Sequence, residues 1–220
     1  MAKYIILIKQ IEENQGKVKL MVFLKGFALG MLLQLSVGPV FFAVFHKSIS
    51  EGFKEAFKMT LAVALVDAAY IVVSFTSIAA LLEIPSVHML VRGLGSAALA
   101  YFGVKYIRGA RVDRSMESPR DENKGDSFIY GIKLTMLNPL TILFWTATFG
   151  SLIASGRLSG IGSTAVFSLG CVIATVVFLG AMSLLGNRIG RLLDGRILKM
   201  LDYAVGVFLL GFGARLLLAG

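Results

Sequence analysis

The sequence holds one cysteine, Cys171, and it stands inside an apolar run. An intrachain disulfide is excluded, and so is any CxxC metal or redox motif. Histidine is nearly absent too. His46 and His88 lie far apart, so no His-rich metal site and no metal-dependent chemistry is expected. Charge is scarce: Lys, Arg, Asp and Glu make up 16% of the chain against 56% hydrophobic residues. With a mean hydropathy of +0.79, these 220 residues cannot cover a soluble domain with polar surface. Acidic residues are the scarcer charge, 13 against 22 basic ones, for a net charge of +9. In a soluble protein that excess would point to nucleic acid. Here Lys and Arg fall between apolar runs, which fits anionic lipid headgroups instead. The bilayer, not nucleic acid, is the expected partner, and no cofactor is expected.

What the chain has in abundance is long apolar runs. Crossing a bilayer core takes about 20 mostly apolar residues, and six runs qualify: 21–45, 59–82, 86–107, 128–154, 159–185 and 197–218. Backbone groups in lipid must be satisfied within the segment, so these runs are helices. The alternating pattern of a β-barrel is not seen. Residues 1–20 read as a polar N-terminal arm. Their apolar stretch is too short for a signal peptide and no cleavage site follows. The arm is either a surface helix or an extension ahead of a start at Met21. Residues 108–127 form a polar linker that divides the chain into halves at 21–107 and 128–220. Lys and Arg in the short loops place that linker in the cytoplasm and both termini outside. The lysines of the N-terminal arm count the other way.

The two halves resemble each other. Phe102-Gly103-Val104-Lys105 matches Phe212-Gly213-Ala214-Arg215, with Gly95 and Gly206 upstream. The first and fourth runs each carry a central proline, in Gly38-Pro39 and Asn138-Pro139. A unit of three helices is odd-numbered, so its two copies must enter the membrane from opposite sides. The expected fold is therefore an all-α integral membrane protein, with six transmembrane helices as two inverted three-helix repeats. That is the plan of secondary transporters, in which interrupted helices at matching places mark a midplane site.

Proline lacks an N–H and pushes the residue before it out of the α region. The helix is expected to stop at Gly38 or Asn138 and restart at Pro39 or Pro139. Each restart exposes free N–H groups and a positive dipole end, which suits a carboxylate. Ser36 and Thr135 are polar neighbours, and carbonyls freed near Leu35 and Thr135 are candidate acceptors for an ammonium or a cation. Asp67 stands in the second run with eight uncharged residues before it and fifteen after. An aspartate at such a depth costs roughly 2.5–3.5 kcal/mol on insertion, and it normally faces the bundle interior on a proton or substrate path. The structural alternative is a carboxyl bonded to Tyr70 or a serine. Gln34, Tyr70 and Trp145 are further candidates to line the site. The many glycines are read as helix-packing residues.

With these residues in place, the chain resembles the LysE/RhtB family of bacterial and archaeal amino-acid exporters. Gly26, Gly30 and Ser36-Val37-Gly38-Pro39 stand where that family has a glycine pair and a P-G-P motif. Val66-Asp67-Ala68-Ala69-Tyr70 matches its acidic second-helix position. Gly95 to Gly103, Gly131 with Leu137-Asn138-Pro139, and Ala204 to Gly213 continue the match from about Val22 to the C-terminus. Three positions depart from the pattern. Val37 replaces the first proline of P-G-P, Val40 the asparagine after it, and Leu140 a lysine after Asn-Pro. These departures weaken any transfer of lysine as the substrate. The resemblance implies a multi-pass protein of the cytoplasmic membrane that exports amino acids or related metabolites, not an enzyme. It also implies proton coupling, often in a homodimer.

The leading expectation is a zwitterion/proton antiporter, with substrate at Ser36, Gly38, Pro39, Thr135, Asn138 and Pro139, and Asp67 as proton carrier or ammonium partner. A cation or metal exporter on the same scaffold competes with it, because Asp67, Asn138 and freed carbonyls are hard oxygen ligands. An intramembrane enzyme lacks a nucleophile–base pair in this sequence. An assembly or signalling subunit is a further alternative.

Overall fold

The structure, a computed structural model, describes residues 2–35, 38–74, 84–111, 126–154, 160–193 and 195–218. Among them are eight helices and no strand. In chain order they are α1 Ala2–Gln34, α2 Pro39–Glu51, α3 Phe53–Ser74, α4 Pro85–Arg111, α5 Ser127–Met136, α6 Pro139–Ala154, α7 Ile161–Gly190 and α8 Gly195–Leu218. Four of them, α3, α4, α7 and α8, are long and apolar enough to cross a membrane. The other four helices form two bent pairs. α1 and α2 meet at 80°, and α5 and α6 meet at 63°. The chain therefore has four spanning helices, or up to six spans if each bent pair counts as one.

Both bends fall at the prolines. α2 begins on Pro39 and α6 on Pro139, the first helical position, where the missing N–H costs nothing and the fixed φ suits the helix. Helix boundaries differ from the apolar runs in two instructive ways. α1 starts at Ala2, so the polar arm and the first half of the first span are one continuous helix. Its Lys, Glu and Gln residues are good helix formers, and no proline interrupts it before Pro39. α3 starts at Phe53, six residues ahead of the apolar run, because Lys54, Glu55 and Lys58 extend the helix with a Glu55–Lys58 ion pair at 2.7 Å. Residues 75–83 lie outside the described residues, as do 112–125 of the linker and Ser36 and Val37 of the first break.

Large apolar side chains point outward over much of the surface. Leu32, Leu65, Val72, Leu94 and Val207 are all more than half exposed. In water this would be an aggregation liability; in lipid it is the ordinary exterior. With no hydrophobic drive between helices inside a bilayer, small residues set the packing. α1 lies along α7 and α4 along α8, while α3 touches α5, α6 and α7. Gly30 of α1 sits against Cys171 and Ala174 of α7, where an added Cβ would fall 2.7–2.9 Å from them. Gly131 of α5 sits in the same way against Met59 and Ala62 of α3. Gly103 of α4 faces Gly206 and Leu210 of α8, and Gly213 of α8 faces Ser96, Leu99 and Ala100 of α4. One apolar cluster gathers Ala43, Met59, Val63, Leu99, Leu134 and Leu209. A second gathers Ile71, Trp145, Phe149, Phe167 and Cys171 beside Asp67.

Candidate functional site

The two breaks are built differently. At the second, Leu137 N donates to Lys133 O at 3.1 Å and Asn138 N to Thr135 O at 3.2 Å, closing α5 with a tight last turn. Asn138 then caps α6. Its Oδ1 accepts from Leu140 N at 3.3 Å, and its Nδ2 donates to Thr141 Oγ1 at 2.9 Å. This is the role that an Asn side chain fills at a helix start. Tyr70 Oη donates to Met136 O at 2.8 Å, so a carbonyl freed by the break is satisfied from α3. The Thr135 carbonyl, expected from sequence to be an open acceptor, is engaged by Asn138 N. The Thr135 hydroxyl is buried and has no hydrogen-bond partner among the described residues. Pro139 presses its ring against Gly95 of α4, leaving no room for a Cβ there.

At the first break Gly38 is extended, with φ −132° and ψ −175°, and caps α2 with its backbone alone. Its carbonyl accepts from Phe42 N at 3.2 Å, and Pro39 is buried. Gln34 closes α1 on the other side of the break. Ser36, expected to contribute a hydroxyl, lies outside the described residues.

Between the breaks lies Asp67, 4% exposed. Oδ1 accepts from the Trp145 indole N–H at 2.8 Å. Oδ2 accepts from the Thr175 hydroxyl at 2.9 Å. Thr175 Oγ1 in turn accepts from Gln34 Nε2 at 2.6 Å. One hydrogen-bonded chain thus joins α1, α7, α3 and α6. Its partners for Asp67 are neutral donors, and each carboxylate oxygen keeps a further lone pair. That leaves acceptor capacity for a proton or an ammonium group. Tyr70 lies one turn along α3 from Asp67 and donates to Met136 O, so the neighbours that bond the aspartate are Trp145 and Thr175.

Gln34, Asp67 and Trp145 therefore come together. Tyr70, Thr135, Asn138 and Pro139 gather at the adjoining break, and Gly38 and Pro39 begin the helix after Gln34. Sequence reasoning missed Thr175. The fifth run was read as uncharged, and a hydroxyl in mid-run was the available signal. It also passed over the pair of His46 in α2 and Asp202 in α8, whose Nε2 and Oδ1 are 2.5 Å apart. Both are buried, and the edge of one of the two rings, His46 and Tyr106, meets the face of the other, with centroids 5.0 Å apart. Two residues so far apart in sequence offer no spacing to read. Among the described residues no group of three or more His, Cys, Asp or Glu side chains converges to hold a metal.

The chain is 28% identical over 194 residues to "Putative amino acid efflux protein YcgF" of Bacillus subtilis (strain 168), covering 87% of this chain and 93% of that one. It is 24% identical over 208 residues to the threonine efflux protein of Escherichia coli (strain K12), covering 91% and 99%. It is also 26% identical over 162 residues to the chemotactic transduction protein ChpE of Pseudomonas aeruginosa, covering 72% and 79%. No solved structure matches it. Residues 31–220 match the LysE type translocator model, and the chain belongs to that family of multi-pass inner-membrane transporters, which are not enzymes.

Proposed function

We propose that this chain exports amino acids or similar zwitterionic metabolites across the cytoplasmic membrane in exchange for protons. The observation that carries this reading is the Asp67 chain. A buried carboxylate held by neutral donors from α6 and α7 adjoins a break where a helix restarts inside the membrane. Helix N-termini favour a carboxylate, and Asp67 supplies the complementary acceptor for an ammonium or a coupling proton. Relatives named for amino-acid and threonine efflux support the cargo class.

The fold we infer is six spans in two inverted repeats, with each bent pair as one span. Symmetry in the packing supports it. Gly30 meets a pair of residues three apart on α7, and Gly131 meets such a pair on α3. Gly103 and Gly213 meet corresponding sites on each other's helix. Exchanging the halves maps each set of contacts onto the other. Such a pair of units rocking about a shared site gives alternating access. The matching span of the second half, α7, carries no acidic residue, so this reading assigns proton coupling to the first half. The basic loops put the linker in the cytoplasm, and the family resemblance adds a homodimer.

The test is efflux from proteoliposomes loaded with a mixture of amino acids, with and without a pH gradient. Gradient-driven loss of one or a few amino acids, abolished by Asp67→Asn in protein that still folds, is the expected result. Absence of any amino-acid flux from folded wild-type protein would overturn the reading. One relative is named for chemotactic transduction, so flux itself must be measured.

A further inference from the structure

A cavity of about 740 Å³ opens at the end of the bundle next to the linker, where Gly109 of α4 and Asp126 ahead of α5 both line it. One wall is a single face of α5. Ile129, Tyr130 and Lys133 follow one another at helical spacing, and the wall ends at Leu137. Leu137 is the residue before Asn138, so the cavity runs from the polar end of the bundle to the second helix break. Lys105 of α4 and Lys133 of α5 both line it.

The lining carries three lysines, three carboxylates and His46, but the contacts between them are uneven. Lys47 is paired with Glu51 at 2.8 Å, and His46 lies against Asp202. Asp126 is engaged in capping α5, accepting from Phe128 N at 2.9 Å. Lys105 and Lys133 have no carboxylate partner among the described residues. The Lys105 ammonium instead stands 5.7 Å from the centroid of the Tyr130 ring. Lys133 lies in the last turn of α5, where a cation complements the helix dipole. That accounts for its position, and it leaves two lysines of the same recess without a carboxylate contact among the described residues. Two ammonium groups in a recess this size suit a small carboxylate.

We propose that this cavity is the loading site of the transport path, where Lys105 and Lys133 hold the carboxylate of the amino acid before it reaches the break at Asn138. The proposal rests on the amino-acid export reading and adds to it a second, outer site. The anionic group of a lipid is the other source of the same chemistry, and it is separated from the amino acid by the choice of bilayer.

The experiment reads occupancy directly. Cys171 is buried, so Ile129→Cys places one accessible thiol on the cavity wall without touching either lysine. A polar thiol reagent is applied in vesicles of neutral lipid. The proteinogenic amino acids as a mixture, and the corresponding amides, are offered as protectants. Protection by the acids and not by the amides is expected, and Lys105→Gln with Lys133→Gln should abolish it. Arginine at both positions should restore it. In inverted vesicles the same double variant should raise the half-saturating amino-acid concentration about tenfold, as for loss of a charge-assisted contact, and leave the maximal rate unchanged. Equal protection by acids and amides, or protection that survives the double variant, overturns the loading site. So does protection by anionic lipid alone. If flux is absent but protection follows the carboxylate, the transport reading fails and the site stands. If flux is present without protection, the reverse holds.

Discussion

The Thr175 hydroxyl donates to Asp67 Oδ2 at 2.9 Å and accepts from Gln34 Nε2 at 2.6 Å. It thereby fixes the direction of the whole chain, because a hydroxyl has one proton to give. Thr175→Val removes the donor and keeps the shape. Asp67 then loses one of two neutral partners in a buried setting, and Gln34 loses its acceptor. Hydrogen bonds inside membranes contribute about 0.6 kcal/mol on average, so the fold should survive with a small loss in thermal stability. Transport should fall about tenfold or more, since the charge state of Asp67 is then set by a different environment. Thr175→Ser should keep most of the flux. Proteoliposome efflux of the two variants checks this, and a valine variant as active as the serine one removes Thr175 from the mechanism.

This relationship also shows what the sequence made legible. Asp67 stood out because a lone carboxyl in an apolar run is costly, and the two prolines because they must interrupt a helix. Both are local rules, and the helix restarts at Pro39 and Pro139 follow them. Gln34 and Trp145 were legible as polar or aromatic neighbours of those breaks. Thr175 was not, because its role comes from packing α7 between α1 and α3, a long-range fact with no spacing behind it. His46 and Asp202 were hidden for the same reason. The continuous α1 was obscured by its charge: polarity ended the apolar run at residue 21, but a helix needs only propensity and a solvated face to continue.

Trp145 is the only tryptophan, and its indole N–H donates to Asp67. Intrinsic emission therefore reports on the carboxylate. Adding transported amino acid should change the emission of the wild type. Asp67→Asn should alter the resting spectrum and abolish the response to substrate. Trp145→Phe should lower flux by about tenfold, by stranding Oδ1 in apolar surroundings. An emission response that persists unchanged in Asp67→Asn would separate the tryptophan from the substrate path.

Gly95 gives a test of packing at the second break. A Cβ on Gly95 would collide with three carbons of the Pro139 ring, whereas one on Gly93 would meet nothing within 4 Å. Gly95→Ala should therefore destabilise the protein by about 1–3 kcal/mol through overpacking and displace the start of α6. Gly93→Ala should be neutral or stabilise by up to about 1 kcal/mol, from helix propensity alone. Melting temperatures in one detergent, measured for both, check the contrast. Equal effects would mean that α4 does not press on the proline.

Tyr70 donates to Met136 O from the turn of α3 that follows Asp67, so one helix carries both the buried carboxylate and a group that satisfies the break between α5 and α6. Without that hydroxyl the carbonyl loses its partner from α3, and an unsatisfied backbone group in lipid is expensive. Tyr70→Phe should loosen residues 137–142, seen as faster amide exchange there, and should slow transport several-fold while α3 itself stays protected. The control is Ser74→Ala. Ser74 Oγ donates to Tyr70 O within its own helix, at 2.7 Å, so its loss should leave exchange at the break unchanged. If exchange over 137–142 is the same in Tyr70→Phe as in the wild type, the break is held by the Asn138 cap and the Pro139–Gly95 contact alone. Motion at Asp67 would then not reach the break through Tyr70.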